Sequence, residues 1–598
     1  AVERAIPLLQ SSGQTWFEKR QCPSCHHQGL GIVTVTLARD RGFRIDQSML
    51  DDQVRRTTSS PAGRDRYLLG EVSINEQIGE SYRALARGVA GAGRSPLTDL
   101  QVHMLAGKQH VSGHWNSYSH RPPLEDSEFT ATAMTIRTLQ LFRPGHRAKE
   151  ITDRVARARR WLESARPRSS EERAMKLFGL YWAGAGSGAV RPARDSIVAD
   201  QRKDGGWSQV ATRPSDAYAT GQALVALNQT GGLPVGDPVY RRGVEFLLRS
   251  QRPDGTWLVE TRRTRSPGLE YFETGFPHGK HQFISYAGSA WATMALILGV
   301  DGSPAPALAR AEPVPTGDDP WAAAEPLTPL MTAALSGTME DIERLIAAGA
   351  DVNAATPGGI TALMCAVRDP AKVRRLLAAG AHPNAAAKSG HTALMLAADY
   401  DGAAESVRAL LDRGADSNAV AMQAIFPAAT ALRSAALRGD VEVAKLLLDR
   451  GAAIETTLGD TRVSLSLLFA AAAGHVDVVD LLLSRGADPN ARIDLADAGL
   501  EGTTVLMMAA EDGSPNLVRL LLKRGADPNA RDKIGLTPLM YAAAAIDRGD
   551  TGIVQQLLAA GADPAAKTPQ AETAAMLATK YGNREAAALL ERGSAGRR

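Results

Sequence analysis

Three cysteines in 598 residues are too few for a disulfide scaffold. No stretch reaches the ~18 uninterrupted apolar residues of a membrane-spanning helix; the most apolar one, Tyr286 to Val300, is broken by Ser289 and Thr293. There is no Gly-rich phosphate loop ending in Lys, no Gly-x-Ser-x-Gly elbow and no His-Glu-x-x-His string, so hydrolase chemistry has no residue set. Basic side chains are not interleaved with aromatic ones, which argues against a nucleic-acid partner. A strong overall charge is missing too: 68 Lys and Arg stand against 65 Asp and Glu, a net +3. With 44% hydrophobic and 22% charged residues the composition is that of globular domains, and the length calls for two or more.

The near-neutral total hides two halves of opposite sign. Residues 1–310 carry about 41 basic and 30 acidic side chains, and 311–598 about 27 and 35. From about residue 325 the chain repeats at a period of roughly 31 to 38 residues, the mark of a solenoid whose units stack because none can bury its face alone. The recurring phrases are Leu-Thr-Pro-Leu-Met (327–331 and 536–540), Ile-Thr-Ala-Leu-Met (360–364) and His-Thr-Ala-Leu-Met (391–395). An Ala-rich helix follows each, and a second helix ends at Gly349, Gly380, Gly414, Gly486 or Gly525. Thr caps the first helix, small Ala residues allow close packing, and Gly supplies the left-handed stop. This half resembles the ankyrin repeat family, with about eight units. The phrase is altered at Ala429-Thr430-Ala431-Leu432 and Leu465-Ser466-Leu467-Leu468, and an insertion near Arg492 to Glu501 widens one finger loop. The family likeness implies a protein partner held on the ankyrin face.

Before a Pro/Ala-rich linker at 301–324, residues 126–300 alternate apolar helices with turns and show almost no strand-like alternation. Gln109-x-x-x-Gly113-x-Trp115, Gln201-x-x-x-Gly205-x-Trp207 and Gln251-x-x-x-Gly255-x-Trp257 share one spacing, each at a helix end. A Gln bonding neighbouring backbone and a Trp stacking across the turn would clamp successive helix pairs. The pattern resembles the tie motif of the squalene and hopene cyclase family, which implies an α/α toroid. The likeness stops short of the chemistry. Class II cyclases of that family protonate with an Asp-x-Asp-Asp phrase that is absent here, and Asp51-Asp52 lacks its first Asp. The zinc set of related prenyl-transferring toroids is also missing, because the only Cys after residue 25 is Cys365.

The chemistry-bearing string is Gln21-Cys22-Pro23-Ser24-Cys25-His26-His27. Cys-x-x-Cys-His is the spacing at which two thiols add to the vinyl groups of a haem while the His faces the iron. It predicts one covalent haem c on Cys22 and Cys25 with His26 as iron ligand. Four readings stand beside it: buried cysteines, a zinc site completed by His26 or His27 and a distant ligand, a dithiol redox pair, and a strained disulfide. For the second axial ligand His120 comes first, stiffened by Pro122 and Pro123, then His114, with His103, His110, Met104 and Met49 as further options. The loop Gly275 to Gln282 brings His278 and His281 toward a toroid mouth, or simply packs Phe276 and Phe283. The arginine clusters from Arg154 to Arg160 and from Arg262 to Arg265 read as solvated faces, or as charge that steers an acidic partner to a haem edge.

These readings make the chain all-α: residues 1–125 carry the haem motif and begin the toroid, 126–300 complete it, and 325–598 form the solenoid. The expected function is a periplasmic c-type haem protein that transfers electrons and scaffolds a redox assembly, its partner a redox protein or a membrane-bound redox complex. The start Ala-Val-Glu, with neither Met nor a leader, fits a mature exported chain or a trimmed one. The alternatives are a non-catalytic scaffold with a zinc or structural Cys/His site, and a cyclase-like toroid enzyme.

Overall fold

The computed structural model describes residues 1–20, 26–58, 63–69, 76–117, 122–124, 127–262, 274–300, 327–400, 402–422, 428–458, 461–493, 501–511, 514–545 and 551–595. Two compact units result, one formed mainly by residues before 300 and the other mainly by Glu325–Arg598.

The first unit is helical: α1 (Val2–Arg20), α2 (His26–Asp40), α3 (Gln47–Thr58), α4 (Gly63–Leu68), α5 (Glu76–Ala90), α6 (Pro96–Gly107), α7 (Glu128–Leu141), α8 (Ala148–Ser164), α9 (Ser170–Trp182), α10 (Ser187–Ala199), α11 (Ala217–Gln229), α12 (Pro238–Ser250) and α13 (Gln282–Leu298). Their starts are written in the sequence. Ser95 and Ser169 form reciprocal capping boxes with Thr98 and Glu172, and Ser127, Asp216 and Asp237 cap α7, α11 and α12.

Burial sorts these helices into two layers. In α8 only Ile151, Arg154, Ala158 and Leu162 are buried, and in α12 only Tyr240, Gly243 and Leu247, each set a single stripe at three- and four-residue spacing. By contrast α7, α11 and α13 are buried on nearly every side. The fully buried helices pack in the order α2, α5, α7, α9, α11, α13 and back to α2, closing a six-membered inner ring. Each outer helix rests on two neighbours of that ring: α1 on α13 and α2, α3 on α2 and α5, α6 on α5 and α7, α8 on α7 and α9, α10 on α9 and α11, α12 on α11 and α13. Inner neighbours run parallel, since Ser81 meets Thr135 while Gly88 meets Leu141, and Tyr218 meets Gly288 while Gly221 meets Trp291. Gly221 permits the last approach, because a Cβ there would lie 2.5 Å from the backbone of Trp291 and Ala292. The first unit is an α/α toroid.

The second unit stacks eight helix pairs, from Pro329–Ser336 with Met339–Ala347 to Ala574–Lys580 with Arg584–Ala595. Thr328, Thr361, Thr392, Thr430, Thr537 and Thr573 cap first helices by accepting from the backbone N–H three residues on. Thr430 keeps this role in one altered phrase; in the other, Ser464 precedes the helix without a side-chain cap. Consecutive units are tied by asparagines. Asn353 donates to Gly380 O at 3.0 Å and accepts from His382 N at 2.9 Å, and Asn384, Asn418, Asn490 and Asn529 repeat the pair of bonds to the next unit. The insertion after Arg492 is framed by an antiparallel pair, Arg492–Ile493 with Thr503–Thr504, and a similar hairpin joins Thr456–Leu458 to Thr461–Val463.

Candidate functional site

The three Gln-Gly-Trp strings occupy equivalent places, each leading from an outer helix toward the next inner one. Gln109 Nε2 donates to Gly113 O at 2.7 Å and to Arg154 O at 2.9 Å. Gln201 donates to Gly205 O and Val239 O, and Gln251 to Gly255 O and Ala1 O. Each tryptophan is buried and donates its indole N–H to a carbonyl ten residues earlier: Trp115 to Leu105, Trp207 to Ile197, Trp257 to Leu247. The clamp has a fourth member. Arg157, Arg242 and Arg4, all on the following outer helix, donate to the Oε1 of Gln109, Gln201 and Gln251. The carbonyls of the same three arginines sit where a Cβ on Gly113, Gly205 or Gly255 would be, at 2.6, 2.5 and 2.7 Å. These arginines stand 48, 41 and 247 residues from their glutamines, so no fixed spacing betrays them. Their roles also correct the reading of Arg154 to Arg160 as a solvated face: Arg154 is buried against Glu150, and Arg157 belongs to a clamp.

The Cys-x-x-Cys-His string falls in the same kind of connection. It joins outer helix α1 to inner helix α2, and His26 is the first residue of α2. Gln21 follows the end of α1 as the clamp glutamines follow theirs, but Cys-Pro-Ser-Cys-His replaces the Gly-x-Trp that would complete a clamp. Cys22, Cys25 and His120 lie outside the described residues, and of His26 only the backbone position is described.

The other axial candidates are placed and mostly occupied. His114 accepts from Ser112 Oγ on Nδ1 at 2.6 Å, donates from Nε2 to Asn116 Oδ1 at 2.7 Å, and stacks on Trp161 with ring centroids 4.9 Å apart. Neither ring nitrogen offers a lone pair to a metal without losing a partner. His110 shares the same serine at 2.8 Å. His103 is buried on α6 and receives a bond from Arg147, and Met104 beside it is 1% exposed, a core side chain. Met49 lies in the first turn of α3, partly exposed.

His278 takes a left-handed backbone, and its Nε2 lies 2.7 Å from Thr256 Oγ1, which donates to Asp254. Burial holds the imidazoles of His278 and His281 below their ordinary range. Phe276 packs edge-on against Tyr286 at 5.4 Å, so this loop fills the packing role foreseen for it. Among the described residues no group of three His, Cys, Asp or Glu is arranged to hold a metal ion.

The ring's inner face is aromatic. Phe178 on α9 and Trp291 on α13 come within 6.3 Å although α11 stands between their helices, and Trp182 stacks on Phe178. The Tyr218 hydroxyl, pushed up by burial, feels Tyr82 from the opposite side of the ring and the Glu171 carboxylate. Asp216, the N-cap of α11, is half-buried, and desolvation raises its carboxyl although Ala219 N–H, Gln209 and Arg262 oppose the shift.

Residues 325–421, 423–493 and 492–568 match the family described as ankyrin repeats in three copies. Among curated proteins, the squalene–hopene cyclase of Bradyrhizobium diazoefficiens is 35% identical over 113 residues, which is 16% of this chain and 16% of that protein. The drimenyl diphosphate synthase of Streptantibioticus cattleyicolor is 37% identical over 65 residues, 11% of this chain and 12% of that one. The matched segments span no more than 16% of either relative's length. Among solved structures, the human ASB11 ankyrin repeat domain aligns along 100% of its length with 40% of this chain, at 27% identity and a TM-score of 0.33. The C-terminal half of the chain is an array of ankyrin repeats.

Proposed function

We propose that this is a periplasmic c-type haem protein: its toroid carries one covalent haem and its ankyrin repeats hold the protein partner to which electrons pass. The ankyrin array is an interaction scaffold by fold. The haem reading is carried by one observation, that an outer-to-inner connection of a closed ring gives up the Gly-Trp clamp for Cys-Pro-Ser-Cys-His at the head of α2. Cys22 and Cys25 would hold the haem through thioether bonds and His26 would ligate the iron. The bound haem would supply one-electron transfer. The residues of this chain would orient it, since the ring fixes α2 on both sides through α13 and α5. His120 remains the proposed second ligand, because the described histidines nearest it in sequence are already engaged.

The test is an absorption spectrum and a haem stain after denaturing electrophoresis, on protein made in a host that attaches haem c. A sharp Soret band and stain that survive denaturation, both lost in Cys22→Ala/Cys25→Ala, are the expected result. A colourless chain of unmodified mass from that host overturns it.

A cyclase-like enzyme is the second reading, favoured by the raised carboxyl of Asp216 and by the partial likeness to two terpene-forming enzymes. The aromatic filling of the ring weighs against it.

A further inference from the structure

The last clamp continues beyond its tryptophan. Trp257 N–H donates to Ser289 Oγ at 3.1 Å, as Trp115 N–H does to Thr132 Oγ1 and Trp207 N–H to Thr220 Oγ1. Two more rungs follow in this connection: Val259 N–H donates to Ser285 Oγ at 3.0 Å, and Thr261 N–H to His281 Nδ1 at 3.1 Å. The donors lie two residues apart along the chain; the acceptors, on α13 and its N-cap His281, lie four apart in the opposite sense. Two residues of extended chain advance about 6.6 Å and four residues of helix about 6 Å, so the two registers keep step. Residues 257–262 form a strap laid antiparallel along α13. Gly288 makes room for it, since a Cβ there would lie 2.5 Å from Val259 Cγ2.

One rung differs from the others. Ser289 and Ser285 are buried hydroxyls that do not titrate, whereas His281 is a half-buried imidazole that does. A backbone N–H only donates, so the bond from Thr261 requires a neutral ring with Nδ1 unprotonated. A second proton sets two donors against each other. His278 is placed otherwise: the Thr256 hydroxyl spends its proton on Asp254, so His278 Nε2 donates to it, and protonation leaves that bond intact.

Burial, with Lys280 and Arg213, holds the His281 imidazole below its ordinary value of 6.5, and Glu260 acts the other way. His278, on the same loop, is the further titratable group among the described residues that faces it. A ring that titrates lower in the closed strap than in the open one favours closure fully above 6.5, and less and less as the pH falls below that value. The far end of the strap carries Arg262. It is 5% exposed, which removes it from the solvated face expected of Arg262 to Arg265, and its charge acts on the Asp216 carboxyl and the Tyr218 hydroxyl at the head of α11.

We propose that residues 257–262 are an acid-released strap: protonation of His281 breaks the outermost rung, and the strap peels from α13 at that end, withdrawing Arg262 from the head of α11 while the Ser285 and Ser289 rungs hold. The device is independent of the haem reading, since it uses none of the residues assigned to haem.

The experiment is hydrogen exchange of the full chain at pH 7.5 and pH 5, corrected for the intrinsic effect of pH on amide exchange and read in overlapping peptides that resolve residues 260–262. Protection there is expected to fall at least about fivefold at pH 5, the worth of one hydrogen bond, while residues 286–298 of α13 stay unchanged. His281→Asn sets a carbonyl oxygen in the place of Nδ1 and does not titrate, so its protection is expected to be equal at the two pH values. His281→Leu removes the acceptor and is expected to be open at both. Protection in the wild type that ignores pH, a pH dependence that survives in His281→Asn, or a His281→Leu strap as protected as the wild type at pH 7.5 overturns the proposal.

Discussion

The guanidinium of Arg4 donates to Oε1 of Gln251 at 2.7 Å, across 247 residues of chain, and thereby ties the first outer helix of the toroid to the connection that follows the last. Gln251 adds bonds to Ala1 O and Gly255 O, so one side chain fastens the seam at which the ring closes. Gln251→Leu should cost the toroid about 1 to 2 kcal/mol, the loss expected when part-exposed hydrogen bonds are removed together. Gly255→Ala should cost more, because the residue holds φ 89° and its new methyl would lie 2.7 Å from Arg4 O. Urea unfolding followed by tryptophan fluorescence checks both. A toroid transition that ignores Gly255→Ala would show that the seam carries no strain.

The asparagine ladder predicts a separate effect in the ankyrin unit. Asn384 donates to Gly414 O at 2.9 Å and accepts from Asp416 N at 2.7 Å. Asn384→Ala should lower stability by about 1 to 2 kcal/mol, reflecting one exposed inter-unit tie. Solenoid stability is a sum of units and nearest-neighbour interfaces. Hydrogen exchange should therefore quicken in the units on either side of 384 and stay unchanged beyond residue 500.

Asp216 makes stability depend on pH in a defined direction. Its folded-state carboxyl is raised above the ordinary value of 3.8 by burial, so the folded chain keeps a proton that the unfolded chain has lost. This contribution is fully present below the unfolded value and disappears as pH rises through the folded one. Asp216→Asn keeps an acceptor for Ala219 N–H but cannot ionise. Melting temperatures from pH 3.5 upward should fall less steeply in the variant than in the wild type, and parallel profiles would exclude a protonated Asp216.

The ankyrin unit was legible because its determinants are local. Thr328 or Thr392 caps within three residues, and Gly380 stops a helix where it stands, at φ 95°. The toroid was legible in its three Gln-Gly-Trp strings, whose glutamines, glycines and tryptophans all take the foreseen places. Its arginine members were not, since Arg4 and Arg242 meet their glutamines only once the ring has formed. The described histidines show a different limit. A histidine's availability depends on neighbours such as Ser112 and Asn116, and nothing in the spacing around His114 says that both its nitrogens will be taken.

Lys372 supplies the last prediction. It is 7% exposed, and its ammonium donates to Ala333 O at 3.0 Å, Ala334 O at 3.3 Å and Gly337 O at 2.7 Å. These carbonyls lie at the end of the helix Pro329–Ser336 in the first repeat, where the helix dipole leaves partial negative charge; Ala333 O also accepts from Gly337 N at 2.9 Å. All three of the ammonium's donors are thus spent on one helix end, supplied by the next repeat. Lys372→Met keeps the length and the apolar stem but removes the ammonium donor to Ala334 O and Gly337 O, at a cost of about 1 to 3 kcal/mol. The loss falls on the first repeat of the array, so it should show as local opening. Hydrogen exchange of residues 329–347 should accelerate tenfold or more while the toroid transition and the repeats after 430 are unchanged. If exchange in that segment matches the wild type, water satisfies the carbonyls as well as the lysine does, and the first repeat is held by its apolar face alone.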